Sequence, residues 1–140
     1  MTGTAELMRV LLVEDSLADI ELTLESLADA KVANEVTVVR DGASAMEYLM
    51  STEQRPDLII LDLNLPRMSG HEVLAALGED DQLRRIPVAV LTTSSAEADV
   101  MRTYELGANC FLTKPVDVDQ FIEVVHTIDD FWLGLVKLPQ

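Results

Sequence analysis

Asp57-Leu58-Ile59-Ile60-Leu61-Asp62-Leu63-Asn64-Leu65-Pro66 is the stretch on which the reading of the fold turns. Four apolar residues, Leu58 to Leu61, run without a break, preceded by Pro56 and followed at a short distance by Pro66. Such a run, rich in β-branched residues and bounded by proline signals, predicts a fully buried parallel strand. Asp62 then stands at the carboxyl end of that strand. In open α/β sheets ligands bind at that end. A carboxylate is costly to bury alone, so Asp62 needs a metal, a cation, hydrogen bonds or a place at the sheet rim. The competing reading is a loop aspartate that caps the next turn.

Working outward, Met8 to Val13 is a second buried-strand run, and it ends abruptly in Glu14-Asp15-Ser16. Adjacent acids repel each other. Either Asp15 or Ser16 caps the following helix, or the acids supply oxygen ligands to a divalent cation. Leu17 to Ala30 is helical, with Ile20, Leu24, Leu27 and Ala28 on one face. Glu35 to Arg40 reads as a short strand around Val36, Val38 and Val39, and Asp41-Gly42 as a turn. Ala43 to Met50 is a helix with Ala45, Met46, Leu49 and Met50 inward.

On the other side of the central strand, Ser69-Gly70 opens a helix through Leu77, with Val73, Leu74 and Leu77 inward and Gly78 at its end. His71 lies at its start. With no cysteine beside it and only His126 elsewhere, it is expected on the surface and not as a metal ligand. Glu79 to Arg85 reads as a polar loop and Pro87 to Leu91 as a fourth strand. The hydroxyls of Thr92 to Ser95 either cap the next helix or contact an anion. Ala96 to Leu106 is a helix closed by Gly107, and Asn109 to Leu112 is a fifth strand. After Thr113-Lys114-Pro115, Asp117 to Asp130 is amphipathic through Val118, Phe121, Ile122, Val125 and Ile128. Five alternations of strand and helix predict an α/β fold, a doubly wound parallel sheet with helices on both faces.

A chain of 140 residues with 49% apolar content supports one globular domain with a single good core. No apolar run reaches membrane-spanning length, and no leader pattern opens the chain. The single cysteine, Cys110, cannot form an internal disulfide, which fits a reducing cytoplasm. A net charge of −15 repels nucleic acid and anionic membrane, so neither is an expected partner.

In a doubly wound sheet the strand ends gather Glu14, Asp15, Asp62, Thr92 and Lys114 on one edge. Three carboxylates and a backbone carbonyl offer hard oxygen ligands for Mg²⁺, with Lys114 as a positive charge opposite and Thr92 as a neutral donor. That set suits phosphoryl transfer, with an aspartate as nucleophile. Val-Glu-Asp at 13–15, Leu-Asp-Leu-Asn-Leu-Pro at 61–66, Leu-Thr-Thr at 91–93 and Thr-Lys-Pro at 113–115 follow in order at strand ends. With these four motifs the chain resembles the receiver domains of two-component response regulators, from Met8 to about Asp130.

The resemblance implies a flavodoxin-like sheet of strand order 2-1-3-4-5. It also implies that Asp62 accepts phosphate from a kinase phosphohistidine. Asp15 and Asp62 would bind Mg²⁺ with the main-chain carbonyl of Asn64 and, through water, Glu14. Thr92 would turn toward the phosphoryl oxygens and Lys114 would pair with them. The family's aromatic switch position falls on Phe111, where many members carry Tyr and its hydroxyl. The expected role is a signalling phosphoacceptor that catalyses only its own phosphotransfer and dephosphorylation.

Asp-Phe-Trp-Leu and Val-Lys-Leu-Pro in the tail, with Leu-Thr-Leu-Glu at 22–25 and Gly-Ala-Asn-Cys at 107–110, resemble the single-domain regulators that serve phytochrome-type histidine kinases. Residues 1–130 are expected to form the receiver and 131–140 an apolar extension. Phe131, Trp132, Leu133, Leu135, Val136 and Leu138 exceed what one helix face hides, which suggests an interface, and a homodimer is the commonest form. The alternatives are weaker. A haloacid dehalogenase-type, Mg²⁺-dependent phosphatase also uses a nucleophilic aspartate but needs an acid two residues on, where this chain has Asn64. A flavin carrier would have its phosphate repelled by Glu14-Asp15.

Overall fold

The structure, a computed structural model, describes residues 7–30, 33–51, 53, 55–92 and 97–126, and the side chains at 92 and 97–100 fall outside that description. The strands are β1 (Met8–Val13), β2 (Asn34–Val39), β3 (Leu58–Asp62), β4 (Val88–Thr92) and β5 (Cys110–Thr113). They alternate with α1 (Leu17–Asp29), α2 (Gly42–Ser51), α3 (Gly70–Gly78), α4 (Glu97–Glu105) and a last helix, α5, described over 118–126. The five strands are parallel in the order β2-β1-β3-β4-β5. The expected architecture and strand order are both present. The reversal of winding falls between β1 and β3, where Val13 pairs with Leu61, so Glu14 and Asp62 emerge side by side.

Successive strand residues point to opposite faces, and the unbroken apolar runs therefore feed two cores at once. Leu12, Ile60, Leu91 and Leu112 face Ile20 and Leu27 of α1 and Phe121 and Val125 of α5. Leu11, Ile59, Leu61 and Val90 face Leu49 of α2 and Val73, Leu74 and Leu77 of α3. All five residues of β3 are buried. Ser16 caps α1 by accepting from the Asp19 N–H at 3.3 Å, so of the two capping readings Ser16 is the one realised. Ser69 and Glu72 form a reciprocal capping box at the start of α3.

Several expectations need correction. Ala28 and Met50, placed on inward helix faces, are exposed, whereas Thr23 is buried in α1. The polar loop at 79–85 contains a 3-10 turn, Leu83–Arg85, whose Leu83 is buried in the core. His71 is half-buried with its Nε2 enclosed and without a hydrogen-bond partner. The tail residues Phe131, Trp132, Leu133, Leu135, Val136 and Leu138 lie outside the described residues.

Candidate functional site: a lysine among carboxylates at the strand ends

The β1, β3 and β5 tips converge as expected, and Lys114 stands at their centre. Its Nζ lies 2.8 Å from Glu14 Oε1, 3.2 Å from Asp62 Oδ2 and 3.2 Å from Asp19 Oδ2. The lysine side chain is 12% exposed, that of Glu14 1% and that of Asp62 6%. Glu14 Oε2 accepts from the Ser16 N–H at 2.9 Å. Its Oε1 has no well-angled hydrogen bond, so its link to Lys114 is charge against charge at close range. Asp62 Oδ1 accepts from the Asn64 N–H at 3.2 Å, so Asp62 does brace the next turn while its other oxygen faces the lysine. The Lys114–Pro115 peptide is cis.

Burial pushes the Glu14 carboxyl above its ordinary range, and Lys114 and the Ser16 N–H only partly offset this. Burial alone would lower the pKa of Lys114. The close contact with Glu14, the charges of Asp62 and Glu14 and the hydrogen bond to Asp19 outweigh it and raise that pKa, so the ammonium is firmly held. The Cys110 thiol is pushed up to about 11 by burial and stays protonated.

Asp15 pairs with Arg40. Its side chain is 54% exposed, 3.9 Å from Arg40, whose Nη2 also donates to the Asp15 backbone oxygen at 2.8 Å. Lys114 fills the point where Glu14, Asp19 and Asp62 meet. Among the described residues no group of three or more His, Cys, Asp or Glu is arranged to hold a metal ion. Asn64 is exposed at the rim. Thr92 ends β4 opposite Thr113, and its side chain is outside the description. Phe111 is half-buried against Tyr104, ring centroids 4.9 Å apart at 68°.

Reading the sequence missed four contributors. Asp19 looked like solvent-facing helix; its signal was an acid in the first turn after the Glu14-Asp15 tip. Arg40 follows β2 directly and lies beside that same tip. Gly42 lets the β3–α3 loop close on α2, because a Cβ there would overlap the Met68 carbonyl oxygen. Arg67 in that loop holds φ at 70° and pairs with Asp41 at 3.2 Å.

Residues 10–126 match the response regulator receiver domain family. The chain belongs to that family. Response regulator Rcp1 of Synechocystis sp. is 46% identical to this receiver over 135 residues, covering 93% of this chain and 92% of that protein. The crystal structure of the phosphorylated cyanobacterial phytochrome response regulator RcpA matches with a TM-score of 0.75 at 46% identity, over 96% of this chain and 100% of that one. The Mn²⁺-bound form of Rcp1 matches with a TM-score of 0.72 at 45% identity, over 95% and 99%. This receiver is therefore a signalling protein of the response regulator class, similar to phytochrome response regulators. No helix among its described residues is long and apolar enough to cross a membrane.

Proposed function

We propose that the receiver accepts a phosphoryl group on Asp62 from the phosphohistidine of a histidine kinase, in a Mg²⁺-dependent reaction. The observation that carries this reading is the contact of Lys114 with Asp62 in a largely buried, over-acidic cluster at the strand ends. An Asp62 carboxylate oxygen attacks phosphorus. The phosphorus–nitrogen bond to the kinase histidine breaks, and its electron pair stays on the imidazole nitrogen. Asp62 becomes an acyl phosphate. Water attack on phosphorus later releases inorganic phosphate and restores the carboxylate. Lys114 offsets charge on the phosphoryl oxygens, and the Thr92 hydroxyl donates to one of them.

The donors present fit a hard divalent cation. Three carboxylates meet one lysine at the strand ends, leaving an excess of negative charge, and Glu14 Oε1 lacks a hydrogen bond. Asp15, Asp62 and the Asn64 carbonyl would hold the ion, with Glu14 reached through water. Asp15 leaves an exposed pairing with Arg40 to do so, and such pairs are worth only about 0.2–1 kcal/mol. When bound, Mg²⁺ supplies charge neutralisation at the phosphoryl oxygens. Phe111, packed on Tyr104, is the aromatic that would respond to phosphorylation, by packing and without a hydroxyl. The likeness to RcpA and Rcp1 supports a phytochrome-type kinase as the donor, and hence a cytoplasmic site of action.

The decisive experiment compares the wild type with Asp62→Asn. The amide keeps the size but cannot act as the attacking carboxylate. Intact-protein mass spectrometry after exposure to a kinase or a small acyl phosphate should show phosphorylated wild type and an unmodified variant. Equal acyl phosphate in both would sink the assignment. For the tail, residues 131–140, the proposal is a homodimer interface. Light scattering should report a dimer for residues 1–140 and a monomer for residues 1–130, and a monomeric full chain would defeat it.

A further inference from the structure

We propose that Asp19 is a positioning residue that competes with the phosphoryl group for Lys114. The inference rests on Lys114 serving that group, as proposed above. An ammonium has three donor hydrogens, and Lys114 faces three carboxylates: Glu14 at 2.8 Å, Asp19 and Asp62 each at 3.2 Å. In the unphosphorylated receiver the ammonium donates to Asp19 and Asp62 and stands in close charge contact with Glu14. A phosphoryl group on Asp62 brings new anionic oxygens to the same place, so Lys114 has to give up a partner.

The three carboxylates differ in what release costs. Glu14 is 1% exposed, and removing the cation from a buried carboxylate leaves an uncompensated charge. Asp62 is the group that becomes phosphorylated. Asp19 is 30% exposed, on the first turn of α1, and water can take over its hydration when the lysine leaves. Asp19 is therefore the partner that yields, and while it holds Lys114 it works against the phosphorylated state. Its backbone N–H is capped by Ser16 whatever the side chain, so replacing the side chain leaves the start of α1 satisfied.

The test is a titration of the Mg²⁺-loaded full chain with beryllofluoride, a phosphoryl analogue, followed by amide NMR shifts. Losing a partly exposed ion pair as competitor should tighten binding about threefold in Asp19→Asn and in Asp19→Ala. Asp19→Glu, which keeps the charge, should stay within error of wild type. The gain should vanish when Lys114→Ala is also present, because the effect runs through the lysine. Unchanged or weaker binding in both charge-removing variants overturns the proposal. So does a threefold gain that persists with Lys114→Ala, since Asp19 would then act by direct repulsion of the anion. A wild type that binds no beryllofluoride, or a Lys114→Ala variant that binds it as well as wild type, overturns the underlying reading of the site. Binding that needs Lys114 but ignores Asp19 defeats this inference alone.

Discussion

At the amino edge of the sheet the side chains of Asp57, Asn109 and Asp80 pair with backbone, while at the carboxyl edge three carboxylates share one lysine. Asp57 accepts the Arg9 N–H at 2.8 Å and returns its own N–H to the Arg9 carbonyl. Asn109 exchanges the same pair of bonds with Val88, at 2.8 and 2.9 Å. Asp80 takes two backbone N–H groups of the 3-10 turn, from Gln82 and Leu83. At the other edge Glu14, Asp19 and Asp62 all face Lys114. The titration directions follow. Backbone donors hold Asp80 below the ordinary aspartate range, whereas burial holds Glu14 above the glutamate range. Asp41, near the carboxyl edge, is also lowered, chiefly by the Ser44 N–H, because it acts as a helix cap outside the lysine cluster. One-to-one pairing with backbone fixes the fold. Unbalanced charge on a rigid edge is what a phosphoryl and metal site requires.

The two ends of α3 put the largest expected effect on this contrast. A Cβ on Gly70 would lie 2.5 Å from the Asp62 carbonyl oxygen and 2.6 Å from Leu63 Cα, both backbone. Gly70→Ala must therefore push the β3 tip, at a cost of about 1–3 kcal/mol of stability. Displacing the nucleophile should slow acyl-phosphate formation on the order of a hundredfold. At the other end a Cβ on Gly78 meets nothing nearer than the Leu106 carbonyl oxygen at 3.9 Å. Gly78→Ala should leave phosphorylation unchanged and stabilise by roughly 0.4–1 kcal/mol. Thermal unfolding and phosphorylation rates on the two variants check both halves. A normal rate in Gly70→Ala would mean the carboxyl edge is looser than its contacts say.

Much of this contrast was legible in the chain. Leu58–Leu61 and Val10–Val13 are buried on both sides, and that burial makes such runs conspicuous in sequence. Ser69 and Glu72 announce the start of α3 because capping is local. Asp62 and Lys114 were placed at one edge because each follows a strand of one parallel sheet. Asp19 was not legible as a lysine partner, since nothing local separates it from a solvent-facing helix acid; β5 makes the contact 95 residues later. The outward turn of Asp15 toward Arg40 depends on β2 lying beside β1, which periodicity does not encode. Met50 and Leu83 failed for a shared reason: an apolar residue at an element's end is placed by its tertiary neighbours, and a single residue carries no period.

The smallest expected effect lies at the amino edge. Asp80 is held below its ordinary value of 3.8 mainly by the Leu83 and Gln82 N–H groups. A carboxyl depressed in the folded state stabilises it above the unfolded-state value, and that contribution fades as pH falls through the lower folded value. Asp80→Asn keeps an acceptor oxygen for the turn but removes the charge. The variant should melt slightly below wild type near neutral pH. The gap should narrow as pH drops below 3.8 and close at lower pH, where wild-type Asp80 is protonated too. Paired thermal melts across that range measure it. Phosphorylation of Asp80→Asn at neutral pH should match wild type, because its contacts end in the turn before β4 and do not reach the Lys114 cluster. A pH-independent gap would show that the hydrogen bonds and not the charge carry the stabilisation. A slowed phosphorylation would show that the two edges are coupled through β4, and the division of labour between them would fail.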